Sequence, residues 1–232
     1  MRYIVFVYLV LTFIPFAVPS AAQAVEPRRV LVVGDSFLDW QRIRGLSIPQ
    51  VLARRTGWEV ANRAATGASM YRTGDASNPR AVIPTQYKEG AWDWVVVNGG
   101  ANDLLSKCGC RRCDRVLDRI ISPDGTSGLM VDLVRRASDS GAGVVMIGYL
   151  GNPRPNLFNR CSDEVFEMVR RQKLLAEGLP DVIYLSSRDA VDINRRGTFS
   201  IDGIRPSGRS TKRIGTYLAQ TMVNMDAAKR RR

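Results

Sequence analysis

Short apolar runs separated by amphipathic stretches constrain this chain more than any other feature. Arg29 to Val33 (RVLVV), Trp92 to Asn98 (WDWVVVN), Gly143 to Gly148 (GVVMIG) and Val182 to Leu185 (VIYL) are rich in β-branched residues and do not alternate apolar with polar. Strands without a polar face are buried on both sides. Trp58 to Ala61 reads as a further short strand. Between these runs the pattern becomes helical: Ser47 to Arg55, with Ser47 as N-cap and Gly57 as stop, Asp114 to Ile121, Gly128 to Ser140, Asp163 to Glu177 with Ser162 as cap, and Thr211 to Met225. Such alternation predicts an α/β protein: a three-layer α/β/α sandwich around a five-stranded parallel sheet of flavodoxin-like order. No internal domain boundary interrupts it. Gly74 to Pro84 and Gly151 to Asn159 read as loops that rim a site.

The first residues follow a different rule. Arg2 precedes an apolar run from Ile4 to Val18, and Ala22-Gln23-Ala24 is a small-x-small cleavage site. Residues 1–24 therefore read as a signal peptide and 25–232 as one domain, placed in a periplasm or outside the cell, without stable membrane insertion after cleavage. The chain carries a formal net charge of +12. The basic residues are spread along it, are mostly arginine and form no nucleic-acid-binding motif, which argues against a nucleic-acid partner. A basic surface suits anionic envelope polymers or membrane surfaces. The closing Lys229-Arg230-Arg231-Arg232 reads as a solvated tail.

Four cysteines, Cys108, Cys110, Cys113 and Cys161, are an even count in a chain that reads as exported, which argues for two disulfides. Cys108 and Cys110 are too close to bridge without strain, so Cys161 is expected to pair within the cluster and tie two loops. A four-cysteine zinc site is the competing reading, against which stand the spacing and the oxidising compartment.

In a parallel sheet, chemistry gathers outside the carboxyl ends of the strands. After the first strand comes Gly34-Asp35-Ser36-Phe37, which puts a hydroxyl in a strand-to-helix turn. A serine there either caps the helix or acts as a nucleophile. After the second comes Asn62-Arg63-Ala64-Ala65-Thr66-Gly67, and after the third Gly99-Gly100-Ala101-Asn102-Asp103. Asp202-Gly203-Ile204-Arg205-Pro206-Ser207 precedes the last helix. In this order and spacing the four blocks resemble the SGNH/GDSL hydrolase family over essentially the whole mature chain.

The resemblance implies the SGNH hydrolase fold and serine esterase chemistry without metal or organic cofactor. Ser36 matches the nucleophile. The Ser36 N–H, the Gly67 N–H and the Asn102 side-chain amide match the oxyanion hole. Asp202 matches the acid that orients the base. Asp35 and Asp103 read as structural carboxylates bonded to backbone N–H groups.

One position departs from the family's last block, D-x-x-H-P: Arg205 stands where the histidine belongs, and the chain contains no histidine at all. A serine hydroxyl needs a base to take its proton. A guanidinium has no acceptor lone pair and a pKa above about 12. Lys212 is a substitute only if strongly desolvated. Arg205 is expected to pair with Asp202 or to help bind an anion. Two classes follow: an impaired esterase acting on a small-molecule or glycan acyl ester, possibly anionic, and a non-catalytic envelope protein binding an anionic or acylated glycan. Oligomeric state leaves no mark in the sequence.

Overall fold

The computed structural model describes residues 27–71 and 78–231. The expected signal peptide and its cleavage site, and the start of the Gly74 to Pro84 loop, lie outside the described residues. Five strands, β1 (Arg29–Val33), β2 (Glu59–Asn62), β3 (Trp94–Val97), β4 (Gly143–Ile147) and β5 (Val182–Leu185), form one sheet in the order β2-β1-β3-β4-β5. Every pairing is parallel. The expected α/β architecture and flavodoxin-like order are what the chain adopts.

The sheet is buried on both faces because its strands carry apolar side chains in both directions. Leu31, Val33, Val95, Val97, Val144 and Met146 enter one core with residues of α4 (Ala101–Lys107), α5 (Asp114–Ile120), α6 (Leu129–Asp139) and α7 (Ser162–Glu177). Val30, Val32, Trp94, Val96, Val145 and Ile147 enter the other with α1 (Ser36–Asp39), α2 (Ile48–Thr56) and α8 (Gly208–Lys229). Adjacent positions thus feed opposite cores, as the two-residue period of a strand requires. Gly143 leaves room for the Trp94 ring: a Cβ there would lie 2.4 Å from it.

Helix ends follow local chemistry, with some corrections. Ser47 caps α2 in a capping box with Gln50, and Gly57 ends it in the left-handed conformation. The last helix is longer than expected: it starts at Gly208, where the Ser207 side chain accepts the Ser210 N–H, and runs to Lys229. The Ser162 hydroxyl does not cap α7; it donates to the Asn159 carbonyl, and Ser162 is the first helical residue. The segment 78–86 is not plain loop. It holds a 3₁₀ turn and the short helix α3 (Ile83–Gln86), which brings buried Gln86 under the first strand's exit.

Candidate active site

The chain leaves β1 through Gly34, whose backbone is clasped by the Gln86 amide. The Gly34 N–H donates to Gln86 Oε1 (2.6 Å) and Gln86 Nε2 donates back to the Gly34 carbonyl (2.9 Å). A Cβ at residue 34 would meet the Asn98 carbonyl at 2.8 Å, so only glycine fits. Asp35 then caps α1 by accepting the Phe37 N–H at 2.8 Å. This leaves Ser36, half-buried, as the first residue of α1 at the carboxyl edge of the sheet.

Neighbouring loops are stitched to this turn. The Ala65 N–H donates to the Gly34 carbonyl (3.1 Å), bringing the segment that carries Gly67 alongside. Gly67 has φ +76°, and a Cβ there would touch nothing within 4 Å. Glycine at 67 is thus a matter of backbone conformation, and no close approach within the protein demands it. Asn102, in the first turn of α4, donates from Nδ2 to the Ala68 carbonyl at 2.8 Å, which ties the third block to the second. An amide NH2 carries two protons, so one remains for another acceptor. Asp103 is fully buried and accepts the N–H groups of Met70 (2.8 Å) and Tyr71 (3.3 Å). Burial lifts its carboxyl to about 6 against the pull of those bonds.

The last block folds as a tight hairpin. Phe199 bridges Pro206, and the Ser200 N–H donates to the Arg205 carbonyl at 2.8 Å. At its tip Asp202 Oδ1 accepts the N–H groups of Ile204 (2.9 Å) and Arg205 (3.0 Å). Arg205 turns back toward the first block. Its Nη1 lies 2.7 Å from Asp202 Oδ2, and its Nε donates to Ser36 Oγ at 3.2 Å. Its Cζ sits 4.4 Å from the Trp40 ring centroid. Partial burial pushes the Asp202 carboxyl up, but the two backbone N–H groups and the guanidinium outweigh it and hold it below the usual carboxylate range. Ser36, Asp202 and Arg205 therefore meet. Lys212 is exposed on α8 and forms no hydrogen bond with Ser36.

Three contributors escaped the sequence reading. Trp40 lies one helical turn after Ser36, a spacing that puts both on one side of a helix; its Nε1 donates to Ser200 Oγ at 2.7 Å. Gln86 left no sequence signal. Tyr149, just past β4, donates to Asp35 Oδ2 at 2.5 Å and accepts the Ala101 N–H at 3.3 Å. It thereby bridges the serine turn and the start of α4. Burial raises the Asp35 carboxyl above its ordinary value, although Tyr149, the Phe37 N–H and the Arg205 charge all pull it down. Burial, with Asp35 beside it, drives the Tyr149 hydroxyl well above its own.

The cysteines sit beside this edge as two pairs. Cys108 faces Cys113 with Cα atoms 5.4 Å apart, and Cys110 faces Cys161 at 4.7 Å. The second pair joins the loop after α4 to the one after β4. Next to it is a cleft of about 350 Å³ lined by Leu105, Gly109, Cys110, Asn156, Leu157 and Arg160.

A doubly wound sheet with its polar residues gathered where β1 and β3 diverge defines a class of α/β protein with an edge site. Residues 32–209 match the model of the GDSL-like lipase/acylhydrolase family, and the chain belongs to that family. Solved structures share the fold at low identity. A protein from Slackia heliotrinireducens described as an SGNH hydrolase superimposes with TM-score 0.57 and 18% identity, covering 85% of this chain and 100% of that one. A carbohydrate acetylesterase from Sinorhizobium meliloti gives 0.59 and 17%, covering 85% and 99%. An acetyl xylan esterase from the rumen bacterium Butyrivibrio proteoclasticus gives 0.57 and 14%, covering 88% and 66%. No curated protein matches the chain significantly.

Proposed function

We propose that this protein is an ester hydrolase scaffold whose serine is positioned but not activated, so that hydrolysis is weak or absent. The observation that carries the reading is the contact between Arg205 Nε and Ser36 Oγ, 3.2 Å long, with the same guanidinium on Asp202. A base at this place would accept the serine proton. The guanidinium instead donates to the serine oxygen and has no lone pair to offer. Ser36, Gly67 and Asn102 retain the roles of nucleophile turn and oxyanion donors, and Asp202 that of an orienting acid that now neutralises an arginine. Oxyanion donors and binding alone leave roughly 10³–10⁴-fold over water when a triad member is missing. The substrate class is a small-molecule or glycan acyl ester, in keeping with the carbohydrate esterases that share the fold. The apolar N-terminal run and the paired cysteines support a place beyond the cytoplasmic membrane.

Hydrolysis of p-nitrophenyl acetate by the parent, Arg205→His, Ser36→Ala and the double variant tests this. The parent should lie near background. Arg205→His should gain about 10²–10⁴-fold, the usual worth of a general base, and lose it again with Ser36→Ala. A parent already active, and silenced by Ser36→Ala, would mean that another group supplies the base and the reading is wrong.

A second reading, a non-catalytic receptor for an anionic or acylated glycan, is favoured by the partly exposed guanidinium, 4.4 Å from the Trp40 ring centroid and in contact with Ser36. A sugar carboxylate bound by the parent and by Ser36→Ala, but not by Arg205→Ala, would support it. Covalent labelling of Ser36 by a fluorophosphonate would speak for the esterase.

A further inference from the structure

The loops around the site form a connected rim. Trp40 Nε1 to Ser200 Oγ (2.7 Å) ties the loop after α1 to the hairpin of residues 199–206. Asn152 Nδ2 to the Gly203 carbonyl (2.7 Å) ties that hairpin to the loop after β4. Each of the three linked loops exposes one large aliphatic side chain. Ile43 is 100% exposed, Ile201 108% and Leu157 62%. The other exposed large hydrophobics among the described residues, Phe166 and Val223, lie on α7 and α8. Single exposed apolar residues need no explanation; three on adjoining loops around one site mouth do.

Their neighbours are cationic. Arg42 and Arg44 flank Ile43, and Arg154 and Arg160 flank Leu157; all four are exposed. Arg44, Arg154 and Arg160 have no carboxylate partner among the described residues, and Arg42 only a long one, 3.6 Å to Asp39. The Arg154 guanidinium donates to the Asn194 carbonyl, at 3.2 Å. Aliphatic tips between exposed arginines whose charge is not closely neutralised match the chemistry of an anionic lipid interface. There the tips enter the acyl boundary and the guanidinium groups stay among the phosphates. A soluble polyanion would use the arginines and leave the tips in water.

We propose that the site face docks peripherally on an anionic membrane, through Ile43, Leu157, Ile201 and the arginines beside them. The docking holds the mouth of the Ser36 site against the lipid headgroups. It is independent of ester turnover, so its failure leaves the enzymatic reading untouched, and the reverse.

Co-sedimentation of the full chain with vesicles of phosphatidylglycerol and phosphatidylcholine, against phosphatidylcholine alone, is the test. The apolar N-terminal run is common to all variants, so differences report the rim. Ile43→Ser/Leu157→Ser/Ile201→Ser should weaken partition to anionic vesicles about 10-fold or more, and Arg44→Ala/Arg154→Ala/Arg160→Ala by a similar factor. Added salt should weaken the parent and leave little further to lose in the arginine variant. In Ile43→Trp brominated phosphatidylglycerol should quench more fluorescence than in the parent, whose Trp40, Trp58, Trp92 and Trp94 set the baseline, and the excess reports the added indole. Unchanged partition of the apolar variant together with an unquenched indole overturns the proposal. So does a rim that binds soluble polygalacturonate equally with and without its aliphatic tips while vesicle binding stays the same, for then the partner is a polyanion.

Discussion

The two edges of the sheet use the same side chains in opposite ways. At the amino edge, arginines and lysines are locked to carboxylates. Arg28 lies 2.9 Å from both Asp93 and Asp226, Arg230 2.8 Å from Asp226, and Lys229 3.2 Å from Asp181. A cavity of about 580 Å³ lies here among these pairs and Trp92, at the edge opposite Ser36. At the carboxyl edge Arg44, Arg154 and Arg160 have no carboxylate partner among the described residues, Arg154 donating instead to the Asn194 carbonyl at 3.2 Å, and Arg205 is held by Asp202 at 2.7 Å. The cause lies in strand direction. In a parallel sheet the loops that leave the strands gather at the carboxyl edge, where ligands bind, and loops that rim a site carry side chains aimed at a ligand rather than at one another. Arginine at the amino edge closes the structure, and at the carboxyl edge Arg44 and Arg160 are left exposed.

The largest effect should come from unlinking the rim. The Cys110–Cys161 pair spans 51 residues and the Cys108–Cys113 pair only 5. By chain entropy alone the first is worth about 4 kcal/mol and the second about 2 kcal/mol. Cys110→Ser/Cys161→Ser should therefore lower unfolding free energy about twice as far as Cys108→Ser/Cys113→Ser, measured in urea. Equal losses would show that both pairs merely brace one loop.

At the amino edge, Asp226→Ala removes a carboxylate, only 6% exposed, that Arg28 shares with Asp93 and that is the carboxylate partner of Arg230. It should cost about 2 kcal/mol, the scale of lost hydrogen bonds to a charged group. Arg154→Ala at the opposite edge should leave the urea midpoint where it was. If the two substitutions cost the same, the contrast between the edges fails.

Tyr149→Phe should cost about 1–3 kcal/mol, because Asp35 and the Ala101 N–H lose their shared partner. Its pH dependence has a defined sign. The folded-state pKa of Asp35 is raised, so its contribution is present below the unfolded value and is lost as pH rises through the folded one. Removing the hydroxyl, which favours the ionised form, raises that pKa further. The penalty should be smaller near pH 4 than near pH 8, and a penalty flat in pH would show that Asp35 ionisation is not engaged by Tyr149.

Much of this was legible in residue order. Strand–helix alternation marked the sheet, since runs such as Val30 to Val33 have no polar face to expose. Ser47 and Gly57 marked the ends of α2. Short helices were less legible: the turn at Ser36 announced α1, but α3 and α4 have four and seven residues, too few to show a helical period. The site was legible where four blocks fall in family order, and Arg205 was visible at the histidine position. Its contact with Ser36, across 169 residues, and with the Trp40 ring was not. Neither was Tyr149, whose partner Asp35 is 114 residues away.

The sequence by itself determined the layered α/β architecture and the absence of any imidazole base, because both follow from which side chains the chain possesses and how often they recur. The tertiary structure alone decided which nitrogen of Arg205 faces the serine, which cysteines pair, and which arginines find carboxylates. Those outcomes depend on distances of a few ångströms between loops far apart in sequence, and packing of the two cores against the sheet is what sets them.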